Sequence, residues 1–200
     1  LDLAQEEARI AAVRDAIGGS VELMLDCSNC WTDINTAIRF VRMFEEYDPY
    51  FVEEPFSPDD LENHARLAAA TDVAIATGEI EAGRWRFKEM LDKEAATILQ
   101  HDAICCGGIT EWRRISAMAA GYGVSVCPHA YHEMHLHLAA STPNALFVEV
   151  FTDDQIVNFR RLLDTQPAVE GGRVMLPDTP GLGYDYLPDV VTEYAVDAWA

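Results

Sequence analysis

The segment PYFVEEPFSPDD, residues 49–60, carries the reading of the fold. A short apolar run at 50–52 ends in two carboxylates, Glu53 and Glu54, and Pro55 and Pro58 then break the backbone before a helical pattern over about 59–70. A strand that closes on an acid and turns through prolines into a helix is one βα unit. The same pattern recurs on both sides. VELML ends at Asp26, 27 residues before Glu53, and VAIATG ends at Glu79, 26 residues after it. A βαβ unit takes roughly 30 residues, so three successive units carry an acid at the same position. Gathered at one rim, three like charges repel unless a cation sits among them. Hard oxygen ligands of this kind suit Mg²⁺.

Further along, strands at 97–102 (TILQHD), 124–129 (VSVCPH) and 145–151 (ALFVEVF) end at or near Asp102, His129 and Glu149. Helical patterns fill the gaps at 33–47, 84–93, 110–120 and 132–141, and another covers 3–17 before Gly18-Gly19. Six strands separated by helices predict a parallel α/β sheet, with barrel and open-sheet topologies both compatible. A single strand-end acid is often only a turn residue. Six ionisable ends in register point instead to an active site at the C-terminal ends of the strands. After 152 the chain turns rich in Pro and Gly (GGRVMLPDTPGLGYD). This divides it into a catalytic and metal-binding partial barrel at 1–152 and an irregular tail at 153–200.

The 200 residues are half apolar and carry a net charge of −20, from 14 basic and 34 acidic side chains. That balance argues against nucleic acid and against an anionic membrane surface, which require basic patches. No run of 18 apolar residues is present, and the expectation is a soluble cytoplasmic protein. Five cysteines are too few and too irregular for a disulfide scaffold.

The ordered set Asp26, Glu53-Glu54-Pro55, Gly78-Glu79, Asp102 with Gly107-Gly108-Ile109-Thr110, Pro128-His129 and Glu149 resembles the mandelate racemase branch of the enolase superfamily. The resemblance spans about 20–183 and is strongest to its acid-sugar dehydratases. It implies an enolase-type TIM barrel in which Asp26, Glu53 and Glu79 bind Mg²⁺, Asp102 and His129 form a proton-transfer dyad, and Glu149 supports the developing enolate. The implied chemistry is removal of the proton α to a carboxylate, most simply in dehydration of a sugar acid. Racemisation or epimerisation of a 2-hydroxy acid is the alternative, and a catalytically inactive metal-binding remnant or assembly subunit is a third reading. A homo-oligomer acting on a small carboxylate is expected. Members of the family also have an N-terminal capping domain and further barrel strands, so the chain reads as part of a longer product.

Two positions depart from the pattern. Ser28 stands where relatives usually have Asn, with Asn29 beside it, and His101 stands where they usually have Pro. Ser28, Asn29 and Trp31 are the candidate substrate contacts, and His101 is expected to point into the helical layer. Cys27-x-x-Cys30 and the cluster His132, His135, His137 are read as structural, because neither has the spacing of a known metal module. Gly107-Gly108 is read as a tight turn.

Overall fold

The computed structural model describes residues 2–196. Helix α1 (Leu3–Ile17) precedes the sheet. Five strands follow, β1 (Leu23–Asp26), β2 (Pro49–Glu53), β3 (Ala74–Thr77), β4 (Ile98–Leu99) and β5 (Ser125–Val126), parallel and adjacent in chain order. The crossovers are α2 (Ile34–Glu45), α3 (Leu61–Ala68), α4 (Arg84–Asp92), and the pair α5 (Ala103–Cys106) and α6 (Gly108–Gly121); α7 (His132–Ala140) follows β5. Two of the crossover helices start on capping aspartates. Asp33 and Asp60 accept the free amides of Asn35 and Thr36, and of Asn63, as N-caps. Helix α2 buries Phe40, Val41 and Phe44 against the sheet, about 1.5–3 kcal/mol for each such side chain. Among the described residues no helix is long and apolar enough to cross a membrane.

Strand alternation sorts the side chains into two layers. Leu23, Val52, Ile75, Leu99 and Val126 pack outward under the helices. Phe51, Ala76, Ile98 and Cys127 pack together on the inner face. Asp26 pairs with Glu53 across β1 and β2, and Glu53 with Ala76 across β2 and β3. The inner face therefore carries acids where its apolar floor ends.

The expected sixth strand is a correction. Residues 145–151 pair with β5 only around Val126, whose amide donates to the Asn144 carbonyl and whose carbonyl accepts from Leu146. Pro128 has no N–H to extend the ladder. Among the described residues the sheet has five strands, with Ala145 bridged in parallel to Val126 at its edge. The short α5 was also unforeseen; Asp102 caps it by accepting from the Ile104 amide. In the tail, expected as irregular strand and loop, β6 (Val169–Glu170) and β7 (Arg173–Val174) form a hairpin, and a 3-10 turn (Phe159–Leu162) and α8 (Pro188–Tyr194) are added. The tail meets the sheet domain through Phe159 on Tyr131 and through the Leu182 carbonyl on His137. Residues 197–200 of the expected tail lie outside the described residues.

Candidate active site

A cavity of about 240 Å³ opens at the C-terminal end of the sheet, lined by Asp26, Glu53, Gln100, Cys127 and Glu149 among others. Three of the six sequence-nominated residues thus share one wall. Glu79 lies just past β3, after Gly78, whose φ of +121° only glycine adopts freely. A Cβ at Gly78 would stand 2.8 Å from the Phe87 ring, so the approach of β3 to α4 requires a bare backbone there.

Asp102 and His129 meet as expected. His129 Nδ1 is 3.2 Å from Asp102 Oδ2, and His129 Nε2 faces Glu79 Oε1 at 3.6 Å. Burial alone would lower the His129 pKa, but the Asp102 hydrogen bond and the charges of Glu79 and Glu149 outweigh it and raise it to about 9. Burial would raise Asp102, yet the bonds from His129 and from the Ile104 amide hold it well below the usual carboxylate range.

The carboxylate cluster is electrostatically crowded. Burial, then the charges of Asp26, Glu149 and Glu79, push Glu53 up to about 8, against a hydrogen bond from Gln100. Glu79 is also raised, first by burial, with His129 opposing. The expected convergence of Asp26, Glu53 and Glu79 on one point is a second correction. Among the described residues no three His, Cys, Asp or Glu side chains stand close enough to hold an ion as placed. The reason is visible in their partners. Asp26 accepts from the Ser28 amide at 2.7 Å and its hydroxyl at 3.2 Å, while Glu79 leans toward His129. The donor set still fits a hard divalent cation: carboxylates at adjacent strand ends, one of them held far above its ordinary pKa by burial and then by its neighbours' charges. Gln100 Oε1, buried and without a partner, adds an oxygen to the same cavity.

The three candidate substrate contacts are otherwise engaged. Trp31 is a correction: it is 4% exposed and packs against Phe40, Phe44 and Phe56 in the helical layer. Its amide donates to the Pro55 carbonyl, continuing the β1–β2 pairing and fixing its outward side. Ser28 is bound to Asp26, and Asn29 Nδ2 donates to Glu54 Oε2 at 2.9 Å. His101 points outward as expected, stacked on Trp112 with Nε2 2.9 Å from Ser116 Oγ. Gly107 forms the left-handed turn between α5 and α6.

Three participants escaped the sequence reading. Alternation permits only one of Glu53 and Glu54 to face inward. Glu54, however, lies beyond the end of β2 with φ +41°, and burial followed by Glu79 and Asp26 pushes it up to about 7. Gln100 follows the inward parity of Ile98 and could have been found that way. His135, read as structural, reaches Asp102 Oδ1 at 3.2 Å.

The chain matches the family described as enolase C-terminal domain-like over residues 1–190. The chain belongs to that family. It is 36% identical over 181 residues to L-talarate/galactarate dehydratase of Salmonella typhimurium, covering 90% of this chain and 44% of that protein. It is 33% identical over 191 residues to L-rhamnonate dehydratase of Saccharopolyspora erythraea, covering 91% and 48%. Among solved structures, L-talarate dehydratase from Polaromonas sp. JS666, complexed with Mg and L-glucarate, superposes with a TM-score of 0.88 at 35% identity, over 96% of this chain and 52% of that one. A racemase from Streptomyces coelicolor with bound magnesium gives 0.90 at 29% identity, over 98% and 52%. The chain therefore spans about half the length of these relatives, and its five-stranded sheet is part of an enolase-type barrel domain.

Proposed function

We propose that this chain carries the metal site and the proton-transfer pair of a Mg²⁺-dependent sugar-acid dehydratase. The observation that carries the reading is His129, set between Asp102 and Glu79 and directly following Pro128 of the carboxylate-lined cavity. Asp26, Glu53 and Glu79 would hold the ion, with Glu54 adding negative charge behind them. When bound, Mg²⁺ supplies positive charge where the substrate carboxylate becomes an enediolate. Asp102 keeps a proton on His129 Nδ1 and leaves Nε2 as the working atom. The charges of Glu79 and Glu149 that favour the imidazolium would be offset by a cation held by the carboxylates, so that the neutral ring can take the α-proton at Nε2; the imidazolium then supplies a proton to the β-hydroxyl, which leaves as water. The enol that remains tautomerises to a 2-keto-3-deoxy acid, so one water is lost and no redox change occurs. Glu149 Oε2 accepts from the Ala130 amide at 2.6 Å, which fixes the carboxyl facing the substrate end of the cavity. Gln100 Oε1 offers an acceptor to a substrate hydroxyl.

Galactarate and L-talarate, the substrates in the names of two relatives, are the first compounds to test. Full-length protein with Mg²⁺ should form a ketone detectable as its semicarbazone, and EDTA should abolish it. Ketone formed equally in EDTA would sink the metal reading. The likeness to a racemase supports a second reading. Exchange of the α-proton in D₂O without ketone formation would favour it.

A further inference from the structure

His135 is fully buried, its ring reaching back from α7 to the dyad. Its Nδ1 lies 2.9 Å from the Ala130 carbonyl. A carbonyl cannot donate, so Nδ1 carries the proton. Its Nε2 accepts from the Ala103 amide at 2.9 Å. Ala103 is the residue after Asp102, and Ala130 is the residue after His129. One aromatic ring therefore joins the two loops immediately beside the two dyad members. The Ala130 peptide is held from its other side by Glu149, which accepts its N–H. Ala130 and Tyr131 have φ of +44° and +40°, a left-handed conformation costing roughly 1–2 kcal/mol per non-glycine residue. Such a turn persists only where surrounding bonds over-determine it. Asp102 is fixed in the same way. Its Oδ1 takes the Ile104 amide at 2.7 Å and lies 3.2 Å from His135 Nε2, which leaves Oδ2 for His129.

We propose that His135 is a positioning residue for the Asp102–His129 pair: its neutral, Nδ1-protonated ring bridges the Ala103 amide and the Ala130 carbonyl and so sets the separation of the dyad. The assignment rests on the dyad reading given above. It adds a second histidine to the site, one set behind the dyad rather than against substrate or metal. It also explains a fully buried imidazole whose two nitrogens are both used by backbone groups of catalytic loops.

The test compares full-length protein carrying His135→Phe, which keeps a planar ring but loses both bonds, with His135→Gln, which keeps one donor and one acceptor. Thermal unfolding and Mg²⁺ calorimetry confirm an intact fold and metal site. Turnover is measured on galactarate. The low-field proton of the His129 Nδ1–H···Asp102 bond is observed by NMR of ¹⁵N-histidine-labelled protein. A misplacement of about 1 Å at a catalytic group costs about 10²-fold in rate. His135→Phe should therefore lower kcat by about that factor with KM and Mg²⁺ affinity nearly unchanged, and should lose the low-field resonance. His135→Gln should recover most of both. A Phe variant with undiminished kcat and an intact resonance overturns the proposal. So does a folded Gln variant that recovers neither. Should wild-type protein turn over no sugar acid, the dehydratase reading fails, and the resonance in wild type against the Phe variant still decides the positioning role. Should the Phe variant not fold, the wild-type ¹⁵N shifts decide: Nε2–H at His135 refutes the bridge, Nδ1–H with rescue by Gln supports it.

Discussion

Metal binding by this chain should be strongly coupled to protons, and Glu53 sets the size of the effect. Its metal-free pKa of about 8 stands well above the ordinary value of about 4.3, a difference worth roughly 5 kcal/mol between the two protonation states. Burial is the main cause, followed by the charges of Asp26, Glu149 and Glu79. A cation needs the ionised carboxylate. At pH 7 a group of this pKa is about one-tenth ionised, and at pH 6 about one-hundredth. The apparent Mg²⁺ dissociation constant should therefore rise about tenfold per pH unit below 8 and level off above 9. Calorimetry in phosphate and in Tris, whose ionisation enthalpies differ, should report about one proton released per ion at pH 7, with a further fraction from Glu54. The folded-state pKa of Glu53 is raised, so without metal the folded chain binds more protons than the unfolded one between about pH 4.3 and 8. Metal-free stability should fall across that window as pH rises, and Mg²⁺ should restore it. Glu53→Gln should remove both the proton release and most of the affinity. Binding with no proton release and a constant affinity between pH 6 and 8 would refute the assignment of Glu53 as a ligand.

Three further outcomes are expected. His129→Asn should lower turnover by about 10²–10⁴-fold, the contribution of a general acid–base group, with Mg²⁺ affinity nearly unchanged; loss of metal binding as severe as in Glu53→Gln would show that the roles are misassigned. Gly78→Ala forces a side chain into left-handed backbone and against Phe87 at 2.8 Å. Strain and overpacking together predict about 2–5 kcal/mol in urea unfolding, along with weaker Mg²⁺ binding because Glu79 follows directly. Trp31→Ala should destabilise by about 3–5 kcal/mol, as for a buried aromatic, while any folded fraction keeps its KM for galactarate. A large rise in KM at constant stability would return Trp31 to the substrate pocket.

The layout of the sheet and of the dyad was legible because alternation is a local rule. Once Glu53 is taken as inward, parity places Phe51 beside it and Val52 under the helices. The same count on the fourth strand places Gln100 and Asp102 inward and His101 outward against Trp112. Trp31 was legible in principle as well. Phe40 and Phe44 lie four apart on one face of α2, where an aromatic from the preceding loop packs readily. What escaped lies where alternation stops. The sixth strand failed because pairing belongs to two chains: Pro128 ends the ladder that 145–151 would have extended. Glu54 and the Ala130–Tyr131 turn sit one or two residues past a strand end, in positive-φ backbone that no apolar pattern announces.

His135 shows what such a turn accomplishes. Counted along the chain it is six residues from His129, a spacing that shares one face of a strand but not of a helix, and His135 lies in α7. The left-handed pair at 130 and 131 reverses the backbone before α7 begins at His132. That reversal brings the second turn of α7 back over the dyad, where His135 can bond to Ala130 and Ala103 at once. The strain at 130–131 and the buried ring are therefore one device. The turn delivers the histidine, and the histidine, with Glu149 on the opposite side of the same peptide, holds the turn. A substitution that relaxes Ala130 but keeps those bonds should then leave the dyad in place. Ala130→Gly supplies the direct measurement: it eases the strain without deleting a bond. If the bonds alone hold the geometry, kcat stays within about threefold of wild type, far from the roughly 10²-fold loss expected for a misplaced catalytic group. A loss approaching that of His135→Phe would place the control in the stiffness of the turn itself.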